Sequence, residues 1–381
     1  MKLAHLSYRV SEGVFKKLTS QAQAARNMGL DFHFFLITEN NNLSSQDLKV
    51  TKFQWPRNII LKKIWINFYR YGILFRDSHL QHFDRIILRY PGAEPFFFNR
   101  FFNKYPRKII LEHHSILTDE LKVLKKGILN HLRIFFEQRY FLEILSRSSG
   151  LISVTDEICR RLLNRLSNEI PSTFITNGAD IQGTPHTGFH SLTDGPLILI
   201  FVSTTFYTWK GLDRLLAGLV SYKGSRPIHL LVIGDIYLEK EMKLLCRFPT
   251  NSVSISCPGK QYGEELEKSF RSAHLAVSSL ALHRKKLNEA CPLKTREYIA
   301  RGIPFVFGYN DIDLDPVPEF ALKIKEDDSP IDIEEVLSFA EKMSRIPSIT
   351  HRMREFGLQR LDNAVKVQQM YDFALSTMKD Q

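Results

Sequence analysis

The chain has 381 residues, 44% hydrophobic and 24% charged. That is long enough for two domains with separate cores and too apolar for a disordered polypeptide. No run of about 18 uncharged apolar residues occurs, so no transmembrane helix is expected, and the opening MKLAHLSYRVSEG has too short an apolar core for a secretory leader. The net charge of +11 lies wholly in residues 1–190, which hold 27 Lys and Arg against 16 Asp and Glu; residues 191–381 hold 25 of each, and 51–150 alone hold 18 against 8. A basic half beside a neutral half points to two domains with different partners, the basic one meeting something anionic: nucleic acid, a phospholipid surface or an anionic substrate. Cys159, Cys246, Cys257 and Cys291 are scattered, with no Cys-x-x-Cys pair, and read as free thiols in a reducing cytosol.

In chain order, KLAHLSY reads as a buried strand, followed by the loop RVSEG and a helix over VFKKLTSQAQAARNMG that ends at Gly29. DFHFFLIT, DRIILRY and RKIILEHHS are apolar runs of strand length, residues 120–147 have helical periodicity, and GLISVT starts another strand. Residues 171–196 are rich in Gly, Pro, Ser and Thr, a linker composition. The pattern then restarts with LILIFVS, HLLVIGD, SVSISCPG, LAVSSL and PFVFG, separated by helical stretches, and 350–378 reads as one or two helices. Strands alternating with helices imply parallel sheets covered on both faces. The expected architecture is α/β: two doubly wound domains, 1–190 and 191–350, with 351–381 a helical segment free to cross back to the first. Ligands in such folds bind at strand C-termini, often in the cleft between domains.

Several chemistries lose support. No Gly-x-Gly-x-x-Gly follows the first strand, and no phosphate-binding Gly-x-x-x-x-Gly-Lys-Ser/Thr or nucleophile-bearing Gly-x-Ser-x-Gly occurs. No His/Cys/Asp cluster has metal-ligand spacing, and the adjacent His113 and His114 cannot both face one site from a regular strand.

The informative stretch is NEACPLKTREYIARGIPFVFG, residues 288–308. Pro292 suits a helix's first turn, where its missing N–H costs nothing. The amides of Leu293 and Lys294 would then point outward and, with the helix dipole and the Lys294 charge, form an anion site suited to a diphosphate. Glu297, one turn on, is placed to accept hydrogen bonds from a ribose carried by that diphosphate. Glu289 lies in the preceding loop, on the side where a sugar would sit. Taken as helix chemistry alone, Lys and Glu here are also ordinary solvated surface residues.

The Glu-x7-Glu spacing, PLKTREYIARGIPFV and the upstream FVSTTFYTWKGLDRLLAGL resemble the donor-binding half of family 4 retaining glycosyltransferases of the GT-B fold, in particular those that build bacterial capsular, exo- or lipopolysaccharide. EGVFKKLTSQAQAARNMG resembles the family's first loop and helix, with Gly13 and Val14 on the acceptor side, and ITNGAD its Asn-Gly-x-Asp signature. The resemblance implies two Rossmann-like domains facing each other across a cleft. It also implies roles: Lys210 with Gly211 neutralises the donor diphosphate; Leu293 and Lys294 bind it at the helix start; Glu297 binds ribose; Glu289 contacts the donor sugar; His114, preferred to His113, stands near the transferred sugar. The family often carries an Arg five residues before the lysine. Here Thr205 holds that position, and Arg284 or Lys285 are the candidates to supply the cation.

The reaction implied is transfer of a sugar, with retention, from a UDP- or GDP-linked donor to a hydroxyl of a glycan or lipid-linked acceptor. The nucleotide sugar is a co-substrate; no cofactor and no metal are expected, since Lys210, Lys294 and the helix start would stabilise the leaving diphosphate. Base contacts are expected near Lys260 and Gln261. Two other readings stay open: a GT-B-fold nucleotide-sugar epimerase, and a non-enzymatic basic module binding membrane or nucleic acid. Against the last stands the lack of a nucleic-acid-reading motif. In 51–150, Lys62, Lys63, Arg70 and Arg76 can flank Ile64, Trp65, Phe68 and Tyr69 on a helix, which predicts peripheral attachment to an anionic membrane on its cytoplasmic face. The same pattern also fits an amphipathic helix packed on a sheet.

Overall fold

In the computed structural model of the chain, the alternating pattern becomes two parallel sheets; residues 1–75, 79–123, 127–187, 192 and 195–379 are described. The first sheet contains β1 (Leu3–Tyr8), β2 (Phe32–Thr38), β3 (Lys49–Lys52), β4 (Arg85–Arg89), β5 (Ile109–His113), β6 (Gly150–Ser153) and β7 (Ser172–Phe174). Their spatial order is β3-β2-β1-β4-β5-β6-β7, with every neighbouring pair parallel. Leu3 lies opposite both Phe32 and Arg85. β1 is buried at all six positions, as expected of a strand covered on both faces, and this is why it reads as a continuous rather than alternating apolar run. Its core joins Leu3, Phe34, Leu36, Ile87, Ile110 and Ile152, each worth about 1.5–3 kcal/mol when fully buried.

The second sheet contains β8 (Leu197–Phe206), β9 (Ile228–Ile236), β10 (Val253–Gly259), β11 (Leu275–Val277), β12 (Phe305–Phe307) and β13 (Ala321–Lys323). Its order is β10-β9-β8-β11-β12-β13, again all parallel. In both sheets the order reverses beside the first strand of the unit, between β1 and β4 and between β8 and β11. Strand C-termini at such a reversal splay their following loops apart and leave a crevice for a ligand.

The chain divides into two compact units, Met1–Gly178 with Asn363–Gln381, and Ala179–Asp362. The change of unit thus lies at 178/179 rather than 190: the Ala179 N–H donates to Leu361 O at 2.9 Å and the Thr187 N–H to Arg301 O at 3.2 Å, tying residues 179–187 of the expected linker to the second unit. Of the two C-terminal helices, Ile349–Arg360 belongs to the second unit and Asn363–Lys379 to the first. The last helix buries Val367, Met370 and Ala374 in the first core. Lys366 Nζ donates to Thr176 Oγ1 at 2.6 Å and Tyr371 OH to Met1 O at 3.1 Å.

Candidate functional site

In the second unit, β8 ends in a bulge between Val202 and Thr205. Gly234 on β9 makes it possible: at φ +132°, a Cβ there would stand 1.6 Å from Ser203 O. Thr205 follows the bulge, opposite Asp235, and its carbonyl accepts from Ser203 Oγ at 2.8 Å. The chain then makes a 3-10 turn, Thr208–Lys210, and enters the helix Leu212–Ser221 through Gly211. Gly211 has φ +70°, and a Cβ would meet Leu280 Cβ at 2.9 Å, so this position needs glycine for both conformation and space. The Lys210 carbonyl accepts from the Leu280 N–H at 3.0 Å, and Lys210 Nζ donates to Ser279 Oγ at 3.3 Å. Lys210 therefore bridges the loops after β8 and β11, at the reversal point of its sheet. Burial, and then the charges of Lys285 and Lys294, lower its ammonium to about 8.

Arg284 does not supply a spare cation. Its guanidinium donates to Asp213 Oδ1 at 2.8 Å and Oδ2 at 3.1 Å, to Thr208 O at 2.8 Å and to Asp328 Oδ1 at 2.7 Å. Asp213 is buried, 2% exposed, and burial would raise its carboxyl, but Arg284 and Lys240 hold it below the ordinary range. Arg284 is thus a staple between two 3-10 turns, Thr208–Lys210 and Leu282–Lys285.

The helix of the 288–308 stretch runs Leu293–Arg301, and Pro292 precedes it as the extended N-cap rather than opening its first turn. Pro292 offers no side-chain cap to this helix start. Thr295 Oγ1 donates to Pro292 O at 3.0 Å and lies 2.9 Å from Tyr309 OH, which lies 3.0 Å from Ser278 Oγ. That buried chain of hydroxyls fixes the helix start against the ends of β11 and β12. Lys294 Nζ donates to Glu297 Oε2 at 3.0 Å, and Arg301 Nη2 to Glu297 Oε1 at 3.1 Å. Burial would raise Glu297, but Lys294 and Arg301 prevail and keep it ionised. Glu289 sits in the loop before, half-buried and bridged through its backbone to Asn310 beyond β12. Lys210, Lys294 and Glu297 are thereby gathered around one helix start. At the base-contact segment, Lys260 is ion-paired with Asp235 and Gln261 Oε1 accepts from Ser269 Oγ at 2.7 Å.

The first unit has a second polar cluster at its own reversal point. Glu112, on β5, is buried at 2% exposed. Its Oε2 lies 3.0 Å from His5 Nε2 on β1 and 3.1 Å from His114 Nε2. Arg89 Nη1, from the end of β4, lies 2.8 Å from the same His114 nitrogen, so one nitrogen faces a donor and an acceptor and any one tautomer serves only one of them. Burial pushes Glu112 up, but His114 and His5 hold it well below the carboxylate range. Burial, then Arg89, lower His114 to about 3. His114 is 17% exposed, while His113 points inward, stacked on Tyr90 at 4.3 Å. Gly13 is exposed and Val14 half-buried in the first turn of the helix Glu12–Asn27. On the same helix, Lys17 donates to Asn177 Oδ1 at 2.8 Å.

Sequence reasoning missed Ser279, Arg301 and Glu112. Arg301 was within reach, four residues after Glu297 on one helix face; Ser279 and Glu112 depend on strands far apart in sequence. One surface assignment is corrected. Arg70 does not flank an exposed helix face: it is 4% exposed, with Nη1 3.4 Å from Ala93 O, and burial weakens its hold on its proton against the opposing charge of Glu137. Arg76 lies outside the described residues. Among the described residues, no three His, Cys, Asp or Glu are grouped to hold a metal, and no helix is long and apolar enough to cross a membrane.

No family model matches the chain, and no curated protein matches it in sequence. Solved structures match over its whole length. It resembles sucrose-phosphate synthase from Thermosynechococcus elongatus with a TM-score of 0.69 and 14% identity, covering 100% of both chains. It resembles a glycosyltransferase from Rickettsia africae ESF-5 with a TM-score of 0.66 and 12% identity, again over 100% of both. HepE from Anabaena, solved with UDP and glucose, matches with a TM-score of 0.62 and 14% identity over 98% of this chain and 99% of that one. At these identities the likeness is one of fold, and the fold class of the chain is α/β, GT-B.

Proposed function

We propose that the protein is a retaining glycosyltransferase of the family 4 kind, metal-independent, moving a hexose from a UDP- or GDP-linked donor to a hydroxyl of a cell-surface glycan precursor. The observation that carries this is the helix start at Leu293, where Lys294 and the nearby Lys210 supply positive charge and Glu297 lies one turn further on. The bond from the anomeric carbon to the diphosphate breaks and the diphosphate leaves with its electron pair. Lys210, Lys294 and the Leu293 amide stabilise the developing charge. The acceptor oxygen forms the new bond on the same face, and a departing phosphate oxygen takes its proton. Glu289 is assigned to the donor sugar and Glu297 to the ribose; His114 is assigned a place near the transferred sugar. A structural neighbour solved with UDP and glucose supports a nucleotide donor.

A donor screen that monitors nucleoside diphosphate release tests the reading. Lys294→Ala and Glu297→Ala should each lower rate and donor affinity at least tenfold, about 1.4 kcal/mol, while the protein stays folded. Wild-type turnover in both would remove the assignment. Activity should survive EDTA, and UDP or GDP should protect against thermal unfolding where duplex DNA does not; protection by DNA alone would favour the binding-module alternative.

The acceptor is placed on a lipid carrier, with the first unit attached peripherally to the cytoplasmic face of an anionic membrane. On the helix Ile59–Phe68, Ile59 is 71%, Ile60 69%, Leu61 49% and Ile64 42% exposed. Lys62 and Lys63 are exposed beside them, and from Leu48 to Arg76 the chain has no acidic residue. The helix Ile128–Ser146 meets this one through Phe68 and Phe136, 5.4 Å apart, and exposes Ile128, Leu132 and Phe135. Exposed apolar groups among cations suit an anionic lipid surface. Vesicle sedimentation should pull the protein down with anionic and not neutral lipid, less so at high salt. Equal recovery in the supernatant under all conditions would remove this part.

A further inference from the structure

The polar clusters described so far lie at the C-terminal ends of the strands. The first unit carries a cavity at the other end of its sheet, where β5, β6 and β7 begin. It has a volume of about 740 Å³ and is walled by Asn103, Arg107, Ser146, Arg147, Ser149 and Thr377, among others. Small-molecule sites commonly span about 300–1,000 Å³. Two arginines line this one, and none of the described residues that line it is acidic.

Arg147 is held by neutral partners. Its Nη2 donates to Asn103 Oδ1 at 2.5 Å, its Nη1 donates to Asn99 Oδ1, and the guanidinium lies 5.6 Å from the centroid of the Phe102 ring. Amide oxygens and a ring fix the direction of a guanidinium and leave its charge intact, where a carboxylate would cancel it. Arg107, just ahead of β5, is exposed and makes no hydrogen bond or ion pair with the described residues. Behind Thr377 stands a third guanidinium, that of the buried Arg85, with Asp84 beside it as a counter-charge. Its Nη2 donates to Thr377 O at 2.7 Å and its Nε to Thr377 Oγ1 at 3.0 Å. The Ser146 and Ser148 hydroxyls are committed to the carbonyls of Glu143 and Leu145. The Ser149 hydroxyl is closed to solvent and has no partner among the described residues. A buried hydroxyl left so is costly unless a bound group or a water meets it.

This chemistry limits the occupant. Two guanidiniums can share the several oxygens of one phosphate, and the amide, hydroxyl and carbonyl groups around them match hydroxyls. A phosphate alone would leave most of the volume empty. A lipid headgroup does not fit: the helix Ile128–Ser146 carries its exposed apolar residues at the far end, and at 1.5 Å per residue Ile128 and Ser146 are about 27 Å apart. We infer that the cavity between Arg107 and Arg147, at the start of β5 to β7, binds a small soluble phosphorylated polyol at a site separate from the proposed donor site. Bound there, the ligand would join residues 103–107, the end of the helix Ile128–Ser146 and the helix Asn363–Lys379, and so stabilise the first unit. The inference does not depend on the proposed function.

Thermal-shift measurements and titration calorimetry on the full chain test it. The ligands are glucose 6-phosphate, ribose 5-phosphate and glycerol 3-phosphate, set against glucose and inorganic phosphate. At least one phosphorylated polyol should raise the Tm and bind more tightly than inorganic phosphate, and glucose should do neither. Arg107→Gln and Arg147→Gln should each weaken that binding about fivefold to tenfold. Arg107 has no partner among the described residues to lose, so its variant should keep the ligand-free Tm and the rate of nucleoside diphosphate release. Lys294→Ala should bind the polyol like the wild type. If none of the three ligands binds at millimolar concentration, or if inorganic phosphate binds as tightly as they do, the inference fails. If Lys294→Ala abolishes binding and Arg107→Gln does not, the ligand occupies the donor site; this inference then fails and the donor site stands. Polyol binding that depends on Arg107, in a protein that turns over no nucleotide sugar, would remove the proposed function and leave this site.

Discussion

At the end of β5 in the first unit, the Glu112 carboxylate stands at the centre of a cluster, with His5, His114 and Arg89 around it. Beyond the end of β8 in the second unit, Lys210 stands near the charges of Lys285 and Lys294, and Lys294 is paired with Glu297. Both clusters occupy the reversal point of a parallel sheet, so topology alone does not distinguish them. Their charge balance does. The first set is internally matched, and burial holds the His114 imidazole neutral. The second gathers Lys210, Lys285 and Lys294 beside a helix start whose N-cap residue, Pro292, offers no side-chain cap, an arrangement that favours a bound anion. The first unit should therefore lose stability in acid, and the second should lose anion affinity in alkali.

The largest effect tests what holds the second site in shape. Arg296, one residue before Glu297, is fully buried, with its guanidinium on Asp311 and Asp313. Its ion pairs tie the helix to residues 311–313, which follow β12. Arg296→Met leaves Asp311 buried without its partner and should cost about 3–5 kcal/mol in urea unfolding. Adding Asp311→Leu should recover much of it. An unchanged single variant would show that the helix start is held by packing alone.

The strands legible in the sequence are the interior ones and β10. KLAHLSY, DRIILRY, LILIFVS and PFVFG sit where both faces are covered, so each reads as an unbroken apolar run. The three strands that were missed, β3, β7 and β13, are all edge strands. β3 is KVTK, with both lysines exposed, and its polarity serves to keep another chain from pairing with it. The same division runs through the sites. Lys294, Glu297 and Arg301 lie on one helix at spacings that a sequence displays. The Lys210–Ser279 and Glu112–His5 contacts join residues 69 and 107 positions apart, which no local pattern reports. Arg284 and Lys285 are neighbouring basic residues in the sequence, and the fold is needed to show Arg284 paired with Asp213 and Lys285 over the Trp209 ring.

The alkaline half of the comparison is tested by affinity against pH. Lys210 loses its proton near pH 8 in the free protein. The terminal phosphate of UDP, with a second pKa of about 6, gains no further charge above pH 7.5. Binding above pH 8 must therefore take up a proton, and affinity should fall by up to about tenfold per pH unit. Calorimetry at pH 7.5 and 9 in buffers of different ionisation heat reads both the loss and the uptake. Lys210→Met should bind UDP weakly and without this slope. A flat wild-type profile would detach Lys210 from the anion.

The acid half gives the smallest effect at neutral pH and the most specific one below it. His113 is buried at 2% exposed and stacked on Tyr90, and its Nε2 has no hydrogen-bond partner among the described residues. Burial, then the neighbouring His114, lower its imidazole to about 3, against about 6.5 in an unfolded chain. Between those values the unfolded chain binds a proton that the folded one refuses. Stability is thus fully present above about pH 6.5 and is lost as pH falls toward 3. Phenylalanine keeps the ring stack and has nothing to protonate. His113→Phe should change stability by less than about 1 kcal/mol at pH 7.5, yet make the decline between pH 6.5 and 4.5 shallower by about one proton. His114 shares the shift but opens to solvent, so His114→Phe should flatten the same limb while exposing an apolar ring. If His113→Phe leaves the acid limb unchanged, the buried imidazole is not what the first unit loses in acid, and the matched Glu112 cluster must carry that loss instead.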